Sequence, residues 1–594
     1  MDLILPEASP ALGVASSLAG RRWVWRAAED RIGLGIAQRH GLPEILGRLL
    51  AARGVDSDAA ADFLLPTLRA LLPDPSVLMD MQLAAERLAA AVRSGETVAV
   101  FGDYDVDGAC STALLAGTLR ELGCVVLPYV PDRLREGYGP NAPALRTLAA
   151  AGATLVVCVD CGTAAGDALA SLAGIAEVIV LDHHKSDLLP AGIVATVNPN
   201  RPDCRSGLHG LCAAAVVFVT LVATLRALRR AGWFAARAEP DLREGLDLVA
   251  LATVCDVMPL TGLNRALVTQ GLRVMARRAR PGIAALLEVA AVREAPSAMS
   301  LGFALGPRIN AGGRISEADL GVRLLLEADP VAARALALRL DGVNRQRQSV
   351  ETSILDEALR QGAEQLAAGH AVLMVARADW HPGVVGIVAG RLRERFNRPA
   401  CVAAIVDGMA KGSGRSVPGL DLGGAVMAAR QSGLLATGGG HAMAAGFSLT
   451  ADGCAAFHRF LDARLAAAAA MPLAADLAIE GSLAVGGCSI EVAQHLARLA
   501  PFGPANEEPM LVLPRVRVAF AERVGKDLAT IRLQLEGEGA GRLKAIHFRA
   551  RDGALAEALL ARGGASLHLA GHLRAETWNE RVSVNFVVTD AAPA

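Results

Sequence analysis

From Val77 to Val197 the chain alternates short apolar runs with helical periodicity. Strands are predicted over 97–101, 125–130, 155–159, 178–181 and 194–197, with an alanine-rich helix before the first and a helix over 109–122 after it. Strands this short, joined through helices, are accommodated by a parallel sheet covered on both faces, so the pattern predicts a doubly wound α/β core. In such a sheet ligands bind outside the carboxyl ends of the strands.

Acids and imidazoles fall at those ends. Phe101-Gly-Asp-Tyr-Asp-Val-Asp-Gly108 places Asp103, Asp105 and Asp107 directly after the first strand. Asp160 ends the third strand, Asp182-His183-His184 ends the fourth, and Asp256 follows the apolar stretch 248–254. Taken alone, the first run reads equally well as a solvated acidic turn. A calcium loop is disfavoured, because Gly108 comes too early and no Glu stands at the twelfth position. Recurrence at several element ends argues for convergence, and converging carboxylates repel unless cations compensate them. Oxygen-rich donors with one or two imidazoles suit Mn²⁺ or Mg²⁺. Asp160 is the most plausible bridge between two ions about 4 Å apart, the spacing that serves phosphate-ester hydrolysis. Cys158 and Cys161 have C-x-x-C spacing, but no second pair follows at zinc spacing and both close an apolar strand.

At 594 residues the chain is too long for one core. Residues 1–75 read as a separate segment with short helices near 42–53 and 59–65, and 76–316 as the catalytic domain. A connecting helix is predicted over 317–368, with Asp329 as cap and Pro330 in its first turn. A second α/β lobe occupies 369–466, and alanines 466–470 with Pro472 mark a boundary. Residues 467–594 show five strands with a helix after the third, the pattern of an OB-type β-barrel that holds single-stranded nucleic acid. Trp578 is either a base-stacking ring or a barrel-core residue.

The net charge of −1 excludes a globally basic nucleic-acid coat, so a polyanion must be met by local patches. All but four of the 59 basic residues are Arg, which codon usage alone explains and which also suits phosphate recognition. The longest apolar run, 211–225, is too short to span a bilayer and reads as a buried helix. MDLILPEASP lacks the basic start of a secretory signal, so a cytoplasmic protein is expected.

The Asp-Tyr-Asp-Val-Asp-Gly run with Asp-His-His resembles the DHH phosphoesterase superfamily. Its branch of single-strand-specific 5′→3′ exonucleases is resembled by Glu136-Gly-Tyr-Gly139, Gly306-Pro-Arg-Ile-Asn-Ala-Gly-Gly-Arg314 and Trp380-His-Pro-Gly-Val-Val-Gly-Ile-Val-Ala-Gly-Arg391. Gly412-Ser-Gly-Arg-Ser416, Gly439-Gly-His-Ala-Met-Ala-Ala-Gly446 and Pro501-Phe-Gly-Pro-Ala-Asn506 extend the match in the same order. The resemblance implies a DHH core, a DHHA1-type lobe joined by a long helix, and the barrel. It implies Asp105, Asp107, Asp160, His183 and Asp256 as ligands of two divalent ions, Mn²⁺ or Mg²⁺, with Asp103 near or among them. His184 would donate to the scissile phosphate, and Asp182 would brace the imidazoles or simply cap a helix.

Ser413 and Arg415 read as a glycine-rich turn whose free N–H groups and guanidinium form an anion site. With Arg133 they are expected to grip a terminal 5′ phosphate, while Arg308, Asn310 and Arg314 contact phosphates farther along. His381 and His441 are either DNA contacts or structural histidines. The implied activity is release of 5′-mononucleotides from single-stranded DNA with a 5′ end, in recombination and repair. Implied protein partners are a single-strand-binding protein and a RecQ-type helicase; no membrane is involved. The alternatives are a phosphodiesterase of short oligonucleotides or cyclic dinucleotides, whose relatives generally lack the barrel, and a catalytically silent DNA-binding replication scaffold, which would have lost acids of the set. Leu211-Cys-Ala-Ala-Ala departs from the superfamily, where glycines usually follow the cysteine.

Overall fold

The computed structural model describes residues 10–594 apart from 27–29, 134, 470–475, 526, 540, 551, 562, 563, 579 and 580. The core sheet has the order Val125–Tyr129, Thr97–Phe101, Leu155–Val159, Glu177–Leu181, Ala195–Val197. All neighbouring strands run parallel. The second strand in sequence lies on one side of the first and the third lies on the other. The winding therefore reverses between Thr97–Phe101 and Leu155–Val159, and a crevice opens at their carboxyl ends. Every residue of Leu155–Val159 is buried, because the sheet is covered on both faces.

Met81–Ser94, Val106–Glu121 and Ala213–Arg230 pack on one face, and Ala142–Ala150 packs on the other. Ala213–Arg230 is the long apolar run of the sequence, buried as a helix. Among the described residues no helix is long and apolar enough to cross a membrane. Further helices follow, and the 38-residue helix Pro330–Ala367 then leads to the second lobe. At 1.5 Å per residue it is about 57 Å long. Asp329 caps it by accepting from the Ala332 N–H at 2.8 Å.

The second lobe is a five-stranded sheet in the order Thr437–His441, Ala444–Thr450, Met409–Arg415, Ala400–Val406, Leu373–Arg377. Only the last pair is parallel. The alanine run expected to mark the next boundary instead continues the helix Cys454–Ala469, while Ala470 and Pro472 lie outside the described residues. Beyond them, Leu511–Val524, Thr530–Glu536, Arg542–His547, Leu567–Trp578 and Arg581–Pro593 form a five-stranded barrel, closed by pairing of its first and fourth strands. Helix Ala554–Leu560 lies between the third and fourth. The Trp578 side chain is outside the described residues.

The N-terminal segment is not independent. Helices Glu44–Ala52 and Ala60–Leu64 occur where the pattern predicts them, and Asp30–His40 and strand Arg22–Trp25 are added. Ile36, Leu46, Leu49 and Leu50 share one core with Leu511, Ile531 and Phe586 of the barrel. Arg22–Trp25 pairs in parallel with Asp476–Ile479. Trp23 is fully buried and donates from Nε1 to Asp590 at 3.0 Å. Arg265, 1% exposed, ties the catalytic domain to this unit by donating to the carbonyls of Phe63, Leu499 and Ala500. Asn506, in the Pro501–Asn506 motif, donates to the carbonyls of Leu499 and Pro501 in the same seam.

Candidate metal centre and phosphate-binding cleft

Asp103, Asp160 and Asp182 leave three adjacent strands just past Phe101, Val159 and Leu181, at and beside the switch point. Asp160 has φ of 60°, a left-handed backbone that Asp tolerates better than most side chains. Donor atoms fall into three overlapping groups, each within 4.8 Å: Asp103, Asp105 and Asp160; Asp107, His183 and Asp256; and Asp160, His183 and His184. Asp160 and His183 are shared, so the groups make one continuous centre with room for two adjacent ions. His183 Nε2 lies 3.3 Å from Asp160 Oδ1, 3.5 Å from Asp256 Oδ2 and 3.7 Å from Asp107 Oδ2.

The donors fit divalent cations. Both oxygens of Asp160, Oδ1 of Asp103 and Oδ2 of Asp256 are buried without a hydrogen-bond partner. Orphaned carboxylate oxygens are costly in a protein interior, and a hard cation supplies what they lack. The two cysteines at 158 and 161 are buried and belong to none of these groups.

Burial first, and then neighbouring charge, drives the acids up in pKa. Asp103 is pushed to about 8, with Asp105 its main neighbour, and Asp256 to about 8, with Asp107 and Asp105. Asp107 and Asp160 are raised for the same reasons. These acids bind protons in the folded, metal-free protein that the unfolded chain releases near pH 4. Their contribution to stability is therefore full below about pH 4 and is lost as pH rises through about 8. Metal-free protein is expected to melt at a falling temperature between pH 5 and pH 8.5, and saturating Mn²⁺ is expected to flatten that slope. Melting curves across this range with a chelator or with Mn²⁺ decide the point, and identical slopes in both would refute the assignment.

Local structure anchors several of these candidate donors and their neighbours. Asp107 accepts from the N–H groups of Ala213 and Ala214 at 2.7 and 2.8 Å, in the first turn of Ala213–Arg230. Ala213 and Ala214, standing where glycines were expected, donate these N–H bonds. Asp105 caps Val106–Glu121, accepting from the Gly108 N–H at 3.0 Å. No helix begins at Asp182. It instead accepts from His184 Nδ1 at 2.8 Å, from the N–H groups of His183 and His184, and from Thr163 Oγ1 at 2.7 Å. Burial opposes both charges of this pair, but the hydrogen bond and mutual attraction outweigh it. Asp182 is held well below the usual carboxylate range and His184 is raised to about 9.

Sequence reasoning missed several supports. Tyr138 Oη donates to the Asp160 carbonyl at 3.1 Å and lies 3.2 Å from His184 Nδ1. Asn198 donates to Thr163 Oγ1 and to the His184 carbonyl, and Asn200 to the His183 carbonyl. Tyr138 could have been found inside Glu136-Gly-Tyr-Gly139; the asparagines follow a strand without any distinguishing signal.

Ser413 and Arg415 do not lie in a turn. They belong to strand Met409–Arg415, paired on both sides with Ala400–Val406 and Ala444–Thr450, so the sheet, and not an anion, takes up its backbone N–H groups. The glycines are there for packing: a Cβ on Gly412 would come within 2.2 Å of Phe447 and one on Gly414 within 2.6 Å of Leu422. The candidate anion-binding groups left are side chains, with Arg415 Nη1 donating to Ser413 Oγ at 2.8 Å. Burial, then Arg393 and Arg133, lowers the pKa of Arg415; burial, then Arg133 and Arg347, lowers that of Arg314 to about 10. Among the described residues no carboxylate forms an ion pair with Arg133, Arg314 or Arg415. Arg133 lies over the Tyr104 ring at 5.1 Å. Arg393, which no motif singled out, keeps a buried Nε without a partner. The result is a concentration of positive charge that reaches the acids, Arg133 acting on Asp103 and Arg314 interacting with Asp105.

Other expected DNA contacts are engaged in the fold. Arg308 pairs with Asp341 of the connecting helix at 3.0 Å and donates to the Ala304 carbonyl. Asn310 Oδ1 accepts from the Val106 N–H at 3.1 Å. Arg314 donates to the Gly383 carbonyl, joining core to lobe. His381 Nδ1 accepts from the Gly383 N–H within its own turn, whereas His441 stands exposed at the end of its strand. A cleft of about 990 Å³ runs from Cys255 and Asn310, beside the acids, to Phe502 and Arg574 at the barrel unit.

Three family descriptions match segments of this chain. The description "DHH family, N-terminal domain" matches residues 97–253, "DHHA1 domain" matches 369–467 and "RecJ OB domain" matches 479–590. The single-stranded-DNA-specific exonuclease RecJ of Dickeya dadantii is 43% identical over 485 residues, covering 79% of this chain and 83% of its own. That of Escherichia coli is 42% identical over 495 residues with the same coverage, and that of Bacillus subtilis 33% identical over 582 residues, covering 96% of this chain and 71% of its own. The crystal structure of Thermus thermophilus RecJ in complex with Mn²⁺ superposes with a TM-score of 0.79 at 30% identity, covering 95% of this chain and 78% of that one. Its Mg²⁺ complex gives 0.73 at 28% identity, covering 95% and 77%.

Proposed function

Because the chain belongs to the RecJ family of single-stranded-DNA-specific exonucleases, we infer that it hydrolyses single-stranded DNA from the 5′ end with Mn²⁺ or Mg²⁺, releasing 5′-mononucleotides. The observation that carries the reading is the set of buried, partnerless acid oxygens at the switch point. Asp103, Asp105, Asp107, Asp160, His183 and Asp256 would hold the ions. When bound, these supply Lewis-acid activation of the phosphate and of water.

The chain's own residues orient the substrate and move protons. His184, fixed through Nδ1 by Asp182, presents its other nitrogen to the scissile phosphate. Tyr138 keeps that imidazole over the Asp160 turn. Arg133, Ser413 and Arg415 hold the terminal 5′ phosphate, and that grip sets the polarity of digestion. Arg314 and His441 face the strand, whereas Asn310 lines the cleft and Arg308 and His381 are held by contacts within the fold. The strand passes along the 990 Å³ cleft toward the barrel.

The closed barrel favours this activity over a phosphodiesterase of short oligonucleotides or cyclic dinucleotides, and the complete acid set favours it over a silent scaffold. Residues 76–316 carry the chemistry, 317–368 connect, 369–466 grip the end, 467–594 hold the strand and 1–75 seal the barrel. Action in recombination and repair in the cytoplasm, alongside a single-strand-binding protein and a RecQ-type helicase, fits this reading. Incubation of 5′-phosphorylated single strands with Mn²⁺ or Mg²⁺ is expected to yield 5′-mononucleotides from the 5′ end, with the blunt duplex of the same sequence uncut. Internal fragments, or digestion from the 3′ end, would overturn it.

A further inference from the structure

A second group of metal-type donors stands in the other lobe and shares no residue with the catalytic set. His370 follows the connecting helix after the Gly369 turn, and His458 and Asp462 lie one turn apart on Cys454–Ala469, the lobe's last helix. One donor atom from each falls within 4.8 Å of the others. Asp462 Oδ2 is in hydrogen-bond contact with His370 Nδ1 and lies 3.8 Å from His458 Nε2. The two imidazole rings are 4.5 Å apart and inclined by 30°.

The carboxylate is pre-oriented. Its other oxygen accepts from the N–H groups of Ala371 and Val372 at 3.0 and 2.9 Å, which fixes the plane and leaves Oδ2 between the imidazoles. Backbone support of this kind is what orients ligands in metal sites. His458 Nε2 also contacts the Val372 carbonyl at 2.7 Å, so ligation through Nε2 requires the tautomer with its proton on Nδ1 and a turn of the ring that ends this contact. Two imidazoles and one carboxylate make a borderline donor set, suited to Zn²⁺ with a fourth position for water, and poorly suited to Mg²⁺.

We propose that His370, His458 and Asp462 bind a Zn²⁺-class cation that staples the exit of the connecting helix to the last helix of the second lobe. The staple would hold the lobe that grips the 5′ end against the helix that carries it, without taking part in hydrolysis.

The test compares full-length parent protein with His458→Gln and with the double variant His370→Gln/His458→Gln. Glutamine at 458 can still donate to the Val372 carbonyl, so the fold is kept. After removal of metal and equilibration with Zn²⁺, mass spectrometry is expected to find one fewer Zn²⁺ per chain in the double variant. Loading with Co²⁺ is expected to give a strong visible band in the parent that is absent from the double variant. Zn²⁺ is expected to raise the melting temperature of the parent more than that of His458→Gln, whose metal-free melting matches the parent and whose Mn²⁺-supported exonuclease activity is unchanged. Equal Zn²⁺ content and an equal Co²⁺ band in parent and double variant, or an undiminished Zn²⁺-induced rise in His458→Gln, would overturn the site.

Discussion

Replacing Asp160 with asparagine is expected to cut turnover on 5′-phosphorylated single strands by roughly a thousandfold while raising the melting temperature of the metal-free protein at pH 8. The two effects have one cause. Both Asp160 oxygens are buried without hydrogen-bond partners, and Asp103, Asp105 and Asp107 add their fields to the desolvation cost. In the metal-free protein that charge only destabilises, so neutralising it relieves repulsion. In the loaded enzyme it is shared between donor groups that also contain Asp103, Asp105 and His183. Losing it removes several kcal/mol of charge stabilisation, and about 4 kcal/mol corresponds to roughly a thousandfold. Asparagine is the informative substitution because it tolerates the left-handed backbone at φ 60°, which alanine would strain. Melting curves and initial rates on the same preparation decide it: unchanged turnover, or a lower metal-free melting temperature, would remove Asp160 from the centre.

Arg415→Ala is expected to slow digestion of 5′-phosphorylated strands by roughly 10–150-fold, the equivalent of about 1.5–3 kcal/mol for hydrogen bonds to a charged group. Strands ending in a 5′ hydroxyl should be affected much less, so the preference between the two ends collapses. The guanidinium is half-buried, donates to Ser413 Oγ, and meets Arg393 and Arg133 without a carboxylate partner among the described residues. An arrangement of unpaired cations is unfavourable until an anion occupies it, and a terminal phosphate carries more charge than an internal one. Arg415→Lys should recover only part of the loss, because a point charge cannot reproduce the guanidinium fork. Rates on the two kinds of 5′ end, measured in parallel, are the readout. An equal fall on both would place Arg415 on the internal backbone and not at the 5′ terminus.

What was readable from sequence is tied to local physics. The core strands leave period and length signatures, and all five begin and end within one residue of where the pattern puts them. The acids sit at strand ends, where ligands bind in a parallel sheet. The helix cap at Asp329 and the barrel's strand-helix-strand order are likewise local patterns.

Contacts between distant parts of the chain were not readable, because a backbone partner leaves no mark in composition. Glycines 412 and 414 look like a turn until Phe447 and Leu422 are seen pressing against them in a sheet. The segment 1–75 looks separate until Trp23 is found bonded to Asp590 and Arg265 to Leu499. Arg308 looks like a phosphate ligand until Asp341 occupies it.

The sequence by itself determined the parallel sheet and the strand ends at which the acids gather, since each depends on neighbouring residues or on one strand end. Only the tertiary structure decided which strand ends meet and which of the many arginines lack a carboxylate. It also decided that His370 meets His458 and Asp462. Those outcomes depend on long-range packing, which brings together groups that no sequence spacing relates.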